Sequence, residues 1–166
     1  MIMVAGAWDE KNEETLQLAF DVGKELALRN HIVITGGGSG TPYYVNKGVN
    51  SVDGNSISFL QGSCTEELDK FDECSKIQVR TEMGWDGRSV IAVKSCKSLI
   101  VLGGCNGTLN EITLAYLHNI PIYVMNDSSE LIIRLKSFLL EGKYIDYRKN
   151  IPIIFFYKFE EIITSL

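Results

Sequence analysis

The chain has 166 residues, 45% of them hydrophobic, which suits one domain with a core of its own over residues 1–166. Sixteen basic and 21 acidic residues give a net charge of −5 with no basic run, which argues against a nucleic-acid polymer or an anionic membrane as partner. The opening "MIMVAGAWDE" lacks the charged start and apolar core of a signal peptide, and no apolar run is long enough to span a membrane, so a cytoplasmic location is expected.

In chain order, "MIMVAGA" reads as a short buried strand. Asn12 can cap a helix in which Leu16, Ala19, Phe20, Gly23, Leu26 and Ala27 recur at helical spacing, and Asn30 suits its end. "HIVIT" is a second strand, "GGGSGT" a loop, and Pro42 a first helical position for a helix through Val49. "SISFL" is a third strand, 61–75 a polar loop, "KIQV" a short strand and "GRSVIAVKSC" a helix. "SLIVLG" and "IPIYVM" are strands flanking a helix over 109–118. Ser128 or Ser129 can cap a helix reaching Leu140, after which "IPIIFF" and "KFEEIITSL" close the chain as strand and helix. Cys64, Cys74, Cys96 and Cys105 are scattered without a C-x-x-C pair and only His31 and His118 offer imidazoles, so reduced thiols and no metal are expected.

Apolar runs of four to six residues alternating with helices predict an α/β fold: a doubly wound, Rossmann-like, mainly parallel sheet with helices on both faces. Ligands of such sheets bind beyond the carboxyl ends of the strands, where the winding reverses. Two glycine clusters, Gly36 to Gly40 and Gly103 to Gly107, fall at such ends, each leading into a helix whose free amides favour an anion. Gly37, Gly38 and Ser39 in the first, with Gly103, Gly104, Asn106, Gly107 and Thr108 in the second, are therefore candidates for holding a phosphate. An ordinary tight strand-to-helix turn explains either cluster alone equally well. Neither G-x-G-x-x-G nor G-x-x-x-x-G-K-[ST] occurs, so no dinucleotide cofactor or P-loop chemistry is expected, and no cofactor is assigned.

The stretches "ITGGGSGT", "MGWDGRSVIAVKSCKSLIVLGG" and "GGCNGTLNE" resemble the three signature stretches of the Lonely Guy family, the cytokinin riboside 5′-monophosphate phosphoribohydrolases, and of their molybdenum-cofactor-carrier relatives, formerly labelled lysine-decarboxylase-like. The resemblance covers 1–125. It implies a small nucleotide or other phosphorylated ligand, with cleavage of the bond between a base and ribose 5′-phosphate. That reaction passes through an oxocarbenium-like transition state and needs a carboxylate beside the sugar. By similarity Glu111 supplies the carboxylate and Arg88 completes the phosphate clamp, for which a planar guanidinium is suited. Thr108-x-x-Glu111 also reads as a capping box, and Arg88 as a surface residue or a partner of Asp86. The hydrolases carry a proline before the two glycines and Arg-Lys on the preceding helix; here stand Leu102 and Arg88-Ser89, a pattern nearer the carrier branch.

Two alternatives stay open: a non-catalytic nucleotide or molybdenum-cofactor carrier or sensor, and a nucleoside deoxyribosyltransferase-like enzyme, which "GTLNEITLAYLHNIPIYV" also resembles although that family places an aspartate where Gly103 and Gly104 stand. Trp8, Tyr43, Tyr44 and Trp85 lie near strand ends, where an aromatic ring stacks on a base or packs in a core or subunit contact; Trp8 is the candidate base contact. Cys105 starts a helix, a position that favours a thiolate, but no base stands near it in sequence. A homodimer is expected from the resemblance and from an apolar stretch over 89–93 that one small sheet would leave partly uncovered.

Overall fold

The computed structural model describes residues 1–62 and 74–166. Its elements run β1 (Ile2–Ala5), α1 (Glu13–Leu28), β2 (Ile32–Thr35), α2 (Gly40–Asn50), β3 (Asn55–Leu60), β4 (Ile77–Arg80), α3 (Gly84–Lys94), β5 (Ser98–Val101), α4 (Asn106–Leu117), β6 (Ile122–Met125), α5 (Glu130–Phe138) and β7 (Ile153–Phe156). The polar loop expected over 61–75, with Cys64 in it, lies mostly outside the described residues.

The strands form one sheet in the order β4-β3-β2-β1-β5-β6-β7, with every pairing parallel. The chain winds outward from β1 to β4, returns to lay β5 beside β1, then winds the other way to β7. The reversal therefore falls between β1 and β5, whose register sets Ala5 against Val101. This is the doubly wound, Rossmann-like arrangement, and the connections leaving the two central strands diverge to open a crevice there.

Successive residues of the central strands serve opposite cores, as the two-residue period of a strand requires. Met3, Ala5, Leu99 and Val101 pack with Ala92 and Val93 of α3, Ile112 and Ala115 of α4, and Ile132 and Leu135 of α5. Ile2, Val4 and Ile100 pack on the other side with Ala19, Val22 and Leu26 of α1 and with Val45 and Val49 of α2. Burial on both faces is why these strands are apolar throughout rather than alternating. No helix among the described residues is long and apolar enough to cross a membrane.

Several boundaries differ from the sequence reading. Asn12 does cap α1, its side chain accepting from the Thr15 amide at 3.0 Å, and Ser129 caps α5. Pro42, however, is the third residue of α2, which begins at Gly40. The third helix starts at Gly84 rather than 87, and α5 ends at Phe138, short of Leu140. At the carboxyl end the expected helix is two 3₁₀ turns, Phe159–Glu161 and Ile163–Ser165. The β-branched run Ile162, Ile163, Thr164 is a poor helix former in so short a segment, while Phe159 and Ile162, three apart, are both buried, the spacing of one 3₁₀ turn. Of the apolar stretch over 89–93, Ala92 and Val93 are buried in the chain's own core and Ser89 is buried beside Glu111, leaving Val90 as its exposed member.

Candidate functional site

The helix after β5 begins three residues earlier than its sequence suggests, and this decides how the glycine-rich turn works. Cys105, in extended conformation, is the N-cap of α4 and makes no capping hydrogen bond through its side chain. Thr108 is thus the third residue inside the helix, and the capping-box reading of Thr108 and Glu111 fails on geometry. The first-turn amides, those of Asn106, Gly107 and Thr108, have no intrahelical acceptor, and the positive end of the helix dipole lies with them. Cys105, Asn106 and Gly107 are exposed at this end, whereas Thr108 and Glu111 are buried beneath it.

Gly103 and Gly104 serve this turn from behind. Both have the positive φ that glycine tolerates best, 112° and 122°. A Cβ on Gly104 would lie 2.9 Å from Cβ of Thr108 and inside contact of its hydroxyl; on Gly103 it would meet the Ser128 carbonyl oxygen at 2.9 Å. The partner brought close to Gly104 is therefore the chain's own threonine. Both glycines are buried, and neither lines the cleft. Gly107 does line it, and a Cβ there would meet nothing within 4 Å.

The cleft has a volume of about 430 Å³, within the range of small-molecule sites. Its walls come from three connections: Gly6, Ala7, Trp8 and Asp9 after β1; Gly36, Gly37 and Pro42 after β2; and Cys105, Asn106, Gly107, Thr108 and Glu111 at the start of α4. Trp85 and Arg88 enter from α3. The predicted candidates Trp8, Gly37, Arg88, Asn106, Gly107, Thr108 and Glu111 thus meet in one place, while Gly38, Ser39, Gly103 and Gly104 stand outside the lining. Ser39 instead donates its hydroxyl to the Trp8 carbonyl at 2.6 Å, and the Thr41 amide donates to the Ala7 carbonyl at 2.9 Å. With Pro42 lacking an N–H, the start of α2 holds the loop after β1. Of that loop the sequence singles out Trp8 alone; Gly36 it places only within the first glycine cluster, and Trp85 only among four aromatics near strand ends. The signal for the loop was present in "AGAWDE" at the end of the first strand, but only strand order shows that β1 is central.

At the floor of the cleft Nη1 of Arg88 lies 3.5 Å from Oε1 of Glu111, with the two side chains 12% and 7% exposed. Arg88 is thus paired with Glu111 rather than Asp86. Ser89 donates its hydroxyl either to the Trp85 carbonyl at 3.0 Å or to Oε1 of Glu111 at 3.3 Å. Among the described residues, neither Nε nor Nη1 of Arg88 has a hydrogen-bond acceptor, although both are buried. A buried guanidinium whose Nε has no acceptor and whose Nη1 has only the ion pair with Glu111, set beside an uncapped helix end, makes a site that an anion would complete.

Burial pushes the Glu111 carboxyl above its ordinary value, outweighing Arg88 and the Ser89 hydroxyl, which pull it down. Burial likewise lowers Arg88, against the pull of Glu111, but a guanidinium stays charged in a protein. Because folding raises the Glu111 value above the ordinary 4.5, the stability it contributes is complete below 4.5 and is lost as pH rises through the raised value. Glu111→Gln removes that dependence. Denaturant titrations from pH 4.5 upward should show the wild type losing stability relative to the variant. A difference that is flat with pH would mean that the carboxyl is not shifted.

Gly36 has a more specific role. A Cβ on it would fall 2.7 Å from Cζ of Arg88 and closer still to Nη1, so its missing side chain is the space that the guanidinium occupies. Gly36→Ala should push this flexible side chain aside and weaken anion binding at least tenfold, measured by calorimetry with ribose 5-phosphate. Unchanged affinity would mean that Arg88 takes no part in holding the anion.

Residues 1–151 match the family model described as the SLOG cluster4 family. A protein of Archaeoglobus fulgidus, described as uncharacterized, is 36% identical over 114 residues, 69% of this chain and 72% of its own. Among solved structures, TM1055 aligns with a TM-score of 0.88 at 23% identity, covering 99% of this chain and 98% of that one. The molybdenum cofactor binding protein from the phototrophic bacterium Rippkaea orientalis gives 0.77 at 24% identity, covering 99% and 93%. The molybdenum cofactor carrier protein from Chlamydomonas reinhardtii gives 0.66 at 25% identity, covering 78% and 77%.

Proposed function

The chain belongs to the SLOG cluster4 family, and on that premise we propose that its cleft binds a nucleoside 5′-monophosphate and hydrolyses the N-glycosidic bond to free base and ribose 5-phosphate. The observation that carries this reading is the buried Arg88–Glu111 pair, its guanidinium without a hydrogen-bond acceptor at Nε or Nη1, beside the uncapped start of α4. The phosphate is held by the amides of Asn106, Gly107 and Thr108 and by Arg88. The ribose then meets Glu111. Water bonds to the anomeric carbon as the carbon–nitrogen bond breaks, and the bonding electrons leave with the base. Glu111 takes the proton from that water and passes it to the departing nitrogen; a carboxyl raised by burial is better suited to both transfers than an ordinary one. Its negative charge also stabilises the oxocarbenium character of the sugar.

A second reading is favoured by Ser89, which stands where the hydrolases of the resembled family carry lysine and whose hydroxyl is turned inward to Glu111 and the Trp85 carbonyl. A protein that only carries or senses a nucleotide or a molybdenum cofactor needs the phosphate site without the chemistry, and two structural neighbours are a molybdenum cofactor binding protein and a molybdenum cofactor carrier protein. We place the protein in the cytoplasm, as a single domain and a homodimer, for which sedimentation should report about twice the chain mass.

The test has two parts. A nucleoside monophosphate at about 100 times its dissociation constant should stabilise the fold by roughly 2.7 kcal/mol, and the matching nucleoside by far less. A panel of nucleoside 5′-monophosphates assayed for free base should then show release from at least one. Stabilisation without release would select the carrier, and equal stabilisation by nucleoside and nucleotide would remove the phosphate site from both readings.

A further inference from the structure

The chain contains two tryptophans, Trp8 and Trp85, and both line the same cleft. They come from different elements, the connection after β1 and the first turn of α3, and neither is a core residue: they are 58% and 54% exposed. Leaving two indoles open to solvent forgoes the burial that large apolar side chains ordinarily gain, and both remain open at one site.

Their backbones, by contrast, are held. The Trp8 carbonyl accepts from the Ser39 hydroxyl at 2.6 Å, and a Cβ on Gly40 would lie 2.5 Å from that same oxygen, so the start of α2 packs directly on the Trp8 backbone. The Trp85 carbonyl accepts from Ser89 at 3.0 Å. The Arg88 guanidinium carbon lies 5.7 Å from the Trp85 ring centroid, in cation–π range, which sets an aromatic face directly beside the guanidinium of the anion site. Rigid backbones carrying exposed rings form a platform that is ordered before a ligand arrives.

We propose that Trp8 and Trp85 are the specificity-determining contacts of this cleft, stacking on a planar heteroaromatic ring that the ligand carries beside its phosphate. This rests on the phosphate site proposed above and adds the residues that recognise the ring. A phosphorylated sugar lacking a ring fills only the Arg88 side, whereas a purine nucleotide engages both. Stacking takes any flat π-face, so the platform selects for the presence of a ring rather than for one base.

Because no other tryptophan exists in the chain, intrinsic tryptophan fluorescence reports this cleft alone. Adenosine 5′-monophosphate should quench it saturably. Ribose 5-phosphate should compete with the nucleotide while leaving the emission nearly unchanged. Trp8→Ala and Trp85→Ala should each weaken nucleotide binding about 5- to 150-fold by calorimetry, with ribose 5-phosphate affinity kept within twofold and the Phe variants close to wild type. Both side chains are exposed, so these variants should fold. Alanine variants that bind the nucleotide as tightly as the wild type would overturn the proposal, as would equal wild-type affinity for the nucleotide and ribose 5-phosphate. A Trp85→Ala protein that sediments as a monomer where the wild type is a dimer, with unchanged nucleotide affinity, would reassign that indole to a subunit contact. Failure of ribose 5-phosphate to bind the wild type at all would instead defeat the phosphate site, a result distinct from any loss confined to the tryptophan variants.

Discussion

Glu111→Gln should lower base release by about 100- to 10,000-fold while leaving nucleotide affinity within a few-fold of wild type. Glutamine has nearly the same shape, so the buried space beneath α4 stays filled and the Ser89 hydroxyl keeps an oxygen to donate to. What is lost is the proton-accepting group and the negative charge facing the sugar. Arg88 loses its ionic partner at 3.5 Å, yet the guanidinium keeps its charge and its place in the wall of the cleft. The measurements are single-turnover base release and nucleotide calorimetry on the same preparation. A variant that releases base at the wild-type rate would remove Glu111 from the chemistry. Arg88→Ala supplies the contrast, since it should weaken binding and turnover together.

Gly104→Val should cost a large part of the fold's stability whether or not a ligand is present. The left-handed φ of 122° strains any β-branched residue, by about 1–3 kcal/mol, and the added Cβ runs into the Thr108 side chain, where overpacking costs about another 1–3 kcal/mol. Against a typical domain stability of about 5–15 kcal/mol, this would be visible as a marked drop in denaturant midpoint. Gly107→Val is the matched control. It sits in the first turn of α4 with open space around its Cβ position, so the fold should hold to within about 1 kcal/mol, but the new side chain projects into the cleft and should abolish nucleotide-induced stabilisation. A Gly104→Val protein as stable as wild type would mean that the turn relaxes around Thr108. An unchanged nucleotide-induced shift in Gly107→Val would take the start of α4 out of the phosphate site.

These two glycines show where reading along the chain succeeds and where it stops. The cluster in "VLGGCNGTLNE" is visible as a backbone brought close to something, yet the sequence does not say that Gly104 makes room for Thr108 while Gly107 borders the open space of the cleft. The distinction turns on where α4 begins. Glycine and asparagine in "CNGT" weigh against helix by local propensity, and burial of Thr108 and Glu111 overrides them. The carboxyl-terminal segment shows the reverse: "KFEEIITSL" reads as a closing helix, and β-branched residues in a short segment left only 3₁₀ turns.

Periodicity alone determined the fold class, because strands buried on both faces must be apolar throughout and helices that cover them must be apolar on one side. Arg88 and Glu111 were singled out by the resemblance of the motif stretches, and Thr108 by following the glycines of the same turn. Only the tertiary structure decided that the connection after β1 forms a wall of the cleft, that Trp85 stands beside Arg88, and that Gly36 clears the space for the guanidinium. Each of these depends on β1 lying between β2 and β5. Strand order is set by which apolar faces pack together across the whole sheet, and alternating strands and helices are compatible with more than one such order.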